Sequence, residues 1–372
     1  MPDNIAIKLT KRLLRPVTEK VYIRDRVYPE LEVRKGAKNL HILHPAGRVH
    51  LADPDQDSFV PVGKYYKNGW YDRANIFVYE IPNAYLHVES GLTCTRDFKA
   101  VLDFGYDDRI CHYPAFGRRR PLMVKRRRGL YSSVNTCFSG NIGHWMHDCL
   151  PKIHSLARVA PRTGLTLLMP APAYEFQSET LRCVLPDNFK IEYVSGHEWE
   201  HTEQFLWPSM VSGRCMYLLP PEYYEAIRGP IFKKLGLPKQ HTKTERLYIS
   251  RQGGKRCVTN EDAVMLFLEK FGFRKIVLEE LSFSQQVELF HRAEIVVGPH
   301  GAGINTICFS GDIDVVVLYS TRVPPNYFHT QAVGLGQKHH FVCHDEEHED
   351  SSFGADLPAL ERVFREELGL KA

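Results

Sequence analysis

From Glu245 to Ser320 the chain alternates between two hydrophobic periods, and this alternation restricts the fold more than any other feature. RLYIS at 246–250, KIVLE at 275–279, EIVVG at 294–298 and DVVVLYS at 314–320 are short runs rich in β-branched residues, the pattern of strands buried on both faces. Thr259 or Asn260 is placed to cap a helix that runs to about Phe271. Ser282, with Gln285 three residues on, forms a candidate capping box for a helix reaching Arg292. The GPHGAG turn after the third strand leads straight into a further helix. Such a βαβαβαβ series predicts a parallel, doubly wound sheet, whose ligands bind at the carboxyl ends of the strands.

At 372 residues the chain is longer than one hydrophobic core sustains, so a second domain is expected before this one. Its boundary falls in LGLPKQHTKTE at 235–245, a Pro- and Lys-rich linker. Residues 1–235 then form an N-terminal domain: a β-rich part over 1–120, with strands at Phe77–Ile81 and Tyr85–Glu89, and a helix-containing part over 135–235. In the latter, Trp145, Cys149, Leu150 and Ile153 fall at helical spacing after Asn141, Leu165–Met169 is a strand, and 176–184 a helix. Residues 236–345 form the C-terminal domain. A final helix at about 355–369, within 346–372, presents Leu357, Leu360, Val363 and Phe364 on one face for packing back.

Charge and cysteine usage exclude several classes. A net charge of +4 is too mild for a general nucleic-acid binder. Seven basic residues do cluster in GRRRPLMVKRRR at 117–128, either as a solvated loop or as a peripheral contact to an anionic membrane face or acidic polysaccharide. The nine cysteines are an odd number without a CxxC pair, so neither a disulfide framework nor a zinc ribbon is indicated, and reduced thiols in the cytoplasm fit best. No run reaches the roughly 18 apolar residues of a spanning helix, and charges interrupt the N-terminal apolar residues of MPDNIAIKLTKRLLRPVTEK. A cytoplasmic protein, peripheral at most to the inner membrane face, is expected.

Two constellations carry chemistry. In the first, Gly298-Pro299-His300-Gly301-Ala302-Gly303 joins strand to helix, where small residues let backbone N–H groups approach an anion. Arg251 ends the strand YISR, and Lys255 and Arg256 follow a QGG loop, so guanidinium groups are available to phosphate oxygens at the same sheet edge. Neither a Walker sequence nor a GxGxxG follows a strand. In the second, GNIGHWMHDCLP at 140–151 sets His144 and Asp148 one helical turn apart, an imidazole and a carboxylate able to converge on one hydroxyl. The alternatives are a buried structural pair, or a metal site on His144, His147 and Asp148, although His147 points to another face and no further ligand cluster is apparent. Asp312-Ile313-Asp314 precedes its strand and reads as a turn; Asp107-Asp108 reads as a solvated turn.

Taken together, YISRQGGKRCVTNEDAVMLFLEKFGF, LEELSFSQQVELFHRAEIVVGPHGAGINTICF and, upstream, NIGHWMHDCLPKIHSL resemble glycosyltransferase family 61 in order and spacing over roughly 135–345. The resemblance implies an α/β fold of GT-B type, two Rossmann-like domains facing across a cleft, here with an extra N-terminal β-rich segment. It implies an inverting transferase that needs no metal or other cofactor, takes a nucleotide-sugar donor, commonly a UDP-sugar, and serves an oligosaccharide or glycolipid acceptor, with capsule or surface polysaccharide synthesis as the expected role. By motif, His144 and Asp148 fall at the family's H-x-x-x-D, with Asp148 expected as base and His144 assisting. Arg251, Asn260, Glu261, His300, Gly301, Ala302, Gly303 and Asn305 fall at donor-side positions, joined by Lys255 and Arg256, and Glu280 and Gln286 lie in a further family segment. Ile304-Asn305 and Cys308 depart from the family pattern. Two other classes remain open: a metal-dependent hydrolase built on His144, His147 and Asp148, and a non-catalytic nucleotide- or saccharide-binding module.

Overall fold

The computed structural model describes residues 26–29, 38–50, 66–67, 70–102, 124, 126–195, 199–212, 217–320, 327–344 and 351–371. Its C-terminal half is the parallel α/β unit that the hydrophobic periods predict. Five strands, Glu245–Ile249, Phe273–Ile276, Ala293–Pro299, Asp314–Tyr319 and Lys338–Cys343, form one all-parallel sheet. Their spatial order is second, first, third, fourth, fifth. The helix Glu261–Glu269 packs through Val264 and Leu268, followed by Phe271 just beyond its end, on one face of the sheet with Phe353, Leu360 and Phe364. The helix Phe283–His291 packs through Phe283, Val287 and Phe290 on the other. The winding therefore reverses between the strands Glu245–Ile249 and Ala293–Pro299. In open α/β sheets the gap at the carboxyl ends of such a pair is the natural ligand crevice. Here it lies between Ser250-Arg251 and His300-Gly301.

The expected elements hold, with local differences that have physical causes. Ser282 and Gln285 form the capping box, Ser282 Oγ accepting from the Gln285 N–H at 3.3 Å. The second strand begins and ends earlier than expected, and Leu278–Glu280 is a 3-10 turn. Gln286 Nε2 secures that turn by donating to the carbonyls of Leu278 and Leu281 at 2.9 and 3.1 Å. Asn260 does not cap with its side chain but exchanges two hydrogen bonds with the Ala355 backbone, at 2.9 and 2.7 Å. The segment after GPHGAG is a 3-10 helix, Ala302–Phe309, rather than an α-helix; Ile304, Thr306 and Ile307 are β-branched, and Asn305 Nδ2 bonds the Ala302 carbonyl at 3.2 Å, which competes with the helical ladder. The last helix starts at Leu357, capped by Asp356, and ends in a π-turn at Val363–Glu367.

Among the described residues, the N-terminal half is built on a nine-stranded mixed sheet. The two strands expected at 77–89 are one, Ile76–His87, antiparallel to Trp199–Pro208. Beyond it, Trp199–Pro208, Arg126–Ser132, Leu165–Met169 and Phe189–Tyr193 run parallel, giving this half a Rossmann-like portion of its own. A single apolar cluster joins the halves: Trp145, Leu150, Ile153, Tyr223 and Tyr224 are continuous with Ile249, Val296, Val317, Ile307 and Phe309. Among the described residues no helix is long and apolar enough to cross a membrane. Within the basic run, Arg126 pairs with Glu203 at 3.3 Å and Arg127 with Glu200 at 2.5 Å and also with Glu192, so these two serve the sheet. Residues 117–123 and 125, and Asp107-Asp108, lie outside the described residues.

Candidate active site

The helix that carries His144 is shaped by its sequence at both ends. Asn141 caps it, its Oδ1 accepting from the N–H groups of Gly143 and His144 at 2.9 and 3.4 Å. Pro151, which has no N–H, cannot serve the His147 carbonyl, and the ladder widens into a π-turn over Trp145–Cys149 before the helix Leu150–Val159. Such insertions recur at functional sites. This one holds His144 Nδ1 2.6 Å from Asp148 Oδ2. Ser212 Oγ donates to the other oxygen, Oδ1, at 2.7 Å. Phe138 stacks on the His144 ring at 5.0 Å.

His147 does not join the pair. It is fully buried, its Nδ1 facing the Gly143 carbonyl at 2.8 Å and its ring lying against Tyr217 at 4.6 Å. Desolvation lowers its pKa to about 4, so it is neutral near pH 7. His147 therefore turns away from the His144–Asp148 pair, and among the described residues no three His, Cys, Asp or Glu side chains are grouped as a metal ligand set.

At the sheet's switch point, Arg251 and Gly301 are in contact. A Cβ built on Gly301 would fall 1.5 Å from Arg251 Nη1, so only glycine leaves room for the guanidinium where it stands. Arg251 Nε donates to the Lys255 carbonyl at 3.1 Å, and Arg256 Nη1 lies 3.3 Å from His300 Nδ1. Among the described residues neither guanidinium forms an ion pair with a carboxylate. Burial and the nearby Arg256 hold the Arg251 pKa below its ordinary value, against the opposing pull of Glu279. Burial, then Arg256 and Arg251, lower that of His300 to about 3, leaving a neutral imidazole among Tyr319, Tyr327 and Phe328. The first bond of the 3-10 helix runs from the Ile304 N–H to the Gly301 carbonyl at 3.1 Å, so the N–H groups of Ala302 and Gly303 have no intrahelical acceptor. Two adjacent cations and unclaimed N–H donors make a corner that favours an anion. Lys255 is exposed beside it.

Other expected site residues support this corner from behind. Glu261 accepts from Ser250 Oγ at 2.7 Å, from the Tyr248 hydroxyl at 3.1 Å and from Lys275 Nζ, which fixes the residue preceding Arg251. Asn305 is 2% exposed and lies against Gly143, where a Cβ would come within 2.4 Å of its Nδ2. The phosphate-type turn and the His144 helix thus touch. Sequence reasoning did not find Ser212, Phe138 or Tyr217. Tyr217 adopts φ +65, uncommon for a bulky residue, with its ring 6.1 Å from both His144 and Tyr327. A cavity of about 520 Å³ lined by Asn39, Glu80, Leu130 and Gln204 shares no residue with this corner.

The fold is a mixed α/β one whose parallel sheets are Rossmann-like. Residues 142–317 match the family described as Glycosyltransferase 61, a span that includes His144, Asp148, Arg251, His300 and Asn305. Over these residues, just under half of the sequence, the chain is similar to that family. Over 91 residues it is also 30% identical to the EGF domain-specific O-linked N-acetylglucosamine transferase of Drosophila melanogaster, a match covering 23% of this chain and 18% of that protein.

Proposed function

We propose that this protein transfers a sugar from a nucleotide diphosphate donor to an acceptor hydroxyl, with inversion and without a metal, across a GT-B type cleft. The observation that carries the reading is the contact of Arg251 with Gly301 at the switch point of a parallel sheet, beside Arg256 and the N–H groups of Ala302 and Gly303. These groups stabilise the charge that develops on the departing diphosphate, the task a metal performs in other transferases. The His144–Asp148 pair supplies acid–base chemistry to the acceptor hydroxyl, which attacks the anomeric carbon opposite the leaving group. Asn260, Glu261 and Asn305, whose side chains are engaged within the protein, act by positioning the donor-side residues.

A UDP-sugar is the first donor to test, and the name of the Drosophila protein puts N-acetylglucosamine first among the sugars. An oligosaccharide or glycolipid acceptor in the assembly of a capsule or other surface polysaccharide at the cytoplasmic membrane face is our reading of the role. A protein hydroxyl is the second acceptor class, favoured by the same name. The test is nucleotide release across a panel of sugar donors, with and without each acceptor, before and after EDTA. Acceptor-dependent release that survives EDTA is expected. Release without acceptor would instead support hydrolysis, binding without turnover a non-catalytic module, and a strict Mn²⁺ requirement would overturn the metal-free scheme.

A further inference from the structure

Both oxygens of Asp148 are occupied, one by His144 Nδ1 at 2.6 Å and the other by Ser212 Oγ at 2.7 Å. Asp148 is 3% exposed and Ser212 4%. With each oxygen already accepting one hydrogen bond and the residue almost wholly buried, Asp148 is poorly placed to meet an acceptor arriving from solvent. The His144 side chain, by contrast, is 14% exposed. Its Nδ1 is committed to Asp148 and its ring plane is set by Phe138, so the Nε2 edge is left for an incoming hydroxyl. A buried carboxylate that fixes the tautomer of an imidazole, which then works through its other nitrogen, is an established division of labour in acid–base catalysis.

Resting on the glycosyl-transfer reading, we infer that His144 is the general base and that Ser212 is a positioning residue acting on it through Asp148. As the acceptor oxygen bonds to the anomeric carbon and the bond to the diphosphate oxygen breaks, the hydroxyl proton passes to His144 Nε2. Asp148 remains ionised beside the imidazolium, and the proton returns to solvent after product release. Ser212 lies between the strand Trp199–Pro208 and the helix Pro221–Leu235, so the relay ties the His144 helix to the loop that follows the mixed sheet.

The experiment compares the full-length protein with Ser212→Ala, Ser212→Thr, Asp148→Asn and His144→Gln. It measures kcat, donor KM and the ¹⁵N shifts of the histidine ring nitrogens. Ser212→Ala is expected to lower kcat about 10-fold with donor KM unchanged and to alter the His144 Nδ1–H resonance, and Ser212→Thr to restore both. Asp148→Asn and His144→Gln are each expected to lower kcat by about 100-fold or more. Near-normal kcat in His144→Gln with an inactive Asp148→Asn would overturn the assignment of the base. An unchanged His144 resonance in Ser212→Ala would overturn the positioning role. This spectroscopic arm is read without turnover, so a wild-type protein that transfers no sugar would refute the proposed function and leave the relay to be decided by the resonance.

Discussion

Gly143 and Asn305 are in direct contact: a methyl group on Gly143 would stand 2.4 Å from Asn305 Nδ2 and 2.9 Å from its Cγ. One residue belongs to the helix that carries His144, the other to the turn that faces Arg251. The distance between the two halves of the site is thus set by the absence of a side chain. Gly143→Ala should gain up to about 1 kcal/mol of helix propensity, but Asn305 is buried and has nowhere to retreat. Overpacking at about 1–3 kcal/mol wins. The expected result is a lowered Tm together with a lower kcat, checked by thermal denaturation and steady-state kinetics.

Arg251→Ala removes a preorganised cation from the proposed leaving-group corner. A loss of about 100-fold or more in turnover is expected, with far-ultraviolet circular dichroism unchanged. Near-normal turnover would remove Arg251 from the mechanism.

Gly301→Ala addresses the same corner without removing charge. The new methyl would meet the end of the Arg251 side chain, which is flexible enough to swing aside, so the fold should survive. The guanidinium would then be misplaced, and isothermal titration with a nucleoside diphosphate should show an affinity loss of about 10-fold or more.

Glu261→Ala deprives Ser250, Tyr248 and Lys275 of their shared acceptor. Lys275 is partly exposed, which moderates the penalty to about 2–3 kcal/mol. Because Ser250 precedes Arg251, donor KM should rise alongside the loss of stability seen in urea denaturation. A destabilised variant with unchanged donor KM would separate Glu261 from the donor site.

Acid should destabilise the protein partly through His147. Its folded pKa, near 4, lies below the ordinary 6.5. Between these values the unfolded chain binds a proton that the folded one does not, so stability falls as the pH drops from about 6.5 to about 4. The shift corresponds to a contribution on the order of 3 kcal/mol. His147→Phe should flatten that part of the pH–stability curve, whatever its effect at neutral pH. An unchanged slope would show that His147 is not the group responsible.

The parallel sheet was legible because its strands are apolar on both faces and its turns carry recognisable punctuation: Ser282 and Gln285 close a capping box as their spacing requires. Lys338–Cys343 escaped notice because KHHFVC opens on polar residues at the sheet edge. The 3-10 character of Ala302–Phe309 is a compromise among β-branched residues, a competing asparagine and the packing of Gly303 against Leu278, none of which a helical period reports. The His144–Asp148 pairing followed from a spacing of four. The π-turn that sustains it follows from Pro151, a residue visible in the sequence but read there only as part of a motif. Ser212 had no local signal. It reaches Asp148 only because the chain returns after 64 residues to the edge of the same helix.

The most direct test is a crystal structure of the protein soaked with a nucleoside diphosphate. The diphosphate is expected at the carboxyl ends of the strands Glu245–Ile249 and Ala293–Pro299, with its oxygens within hydrogen-bond distance of the Arg251 guanidinium and the N–H groups of Ala302 and Gly303. A nucleotide bound elsewhere, with Arg251 still closed over Gly301, would contradict this placement.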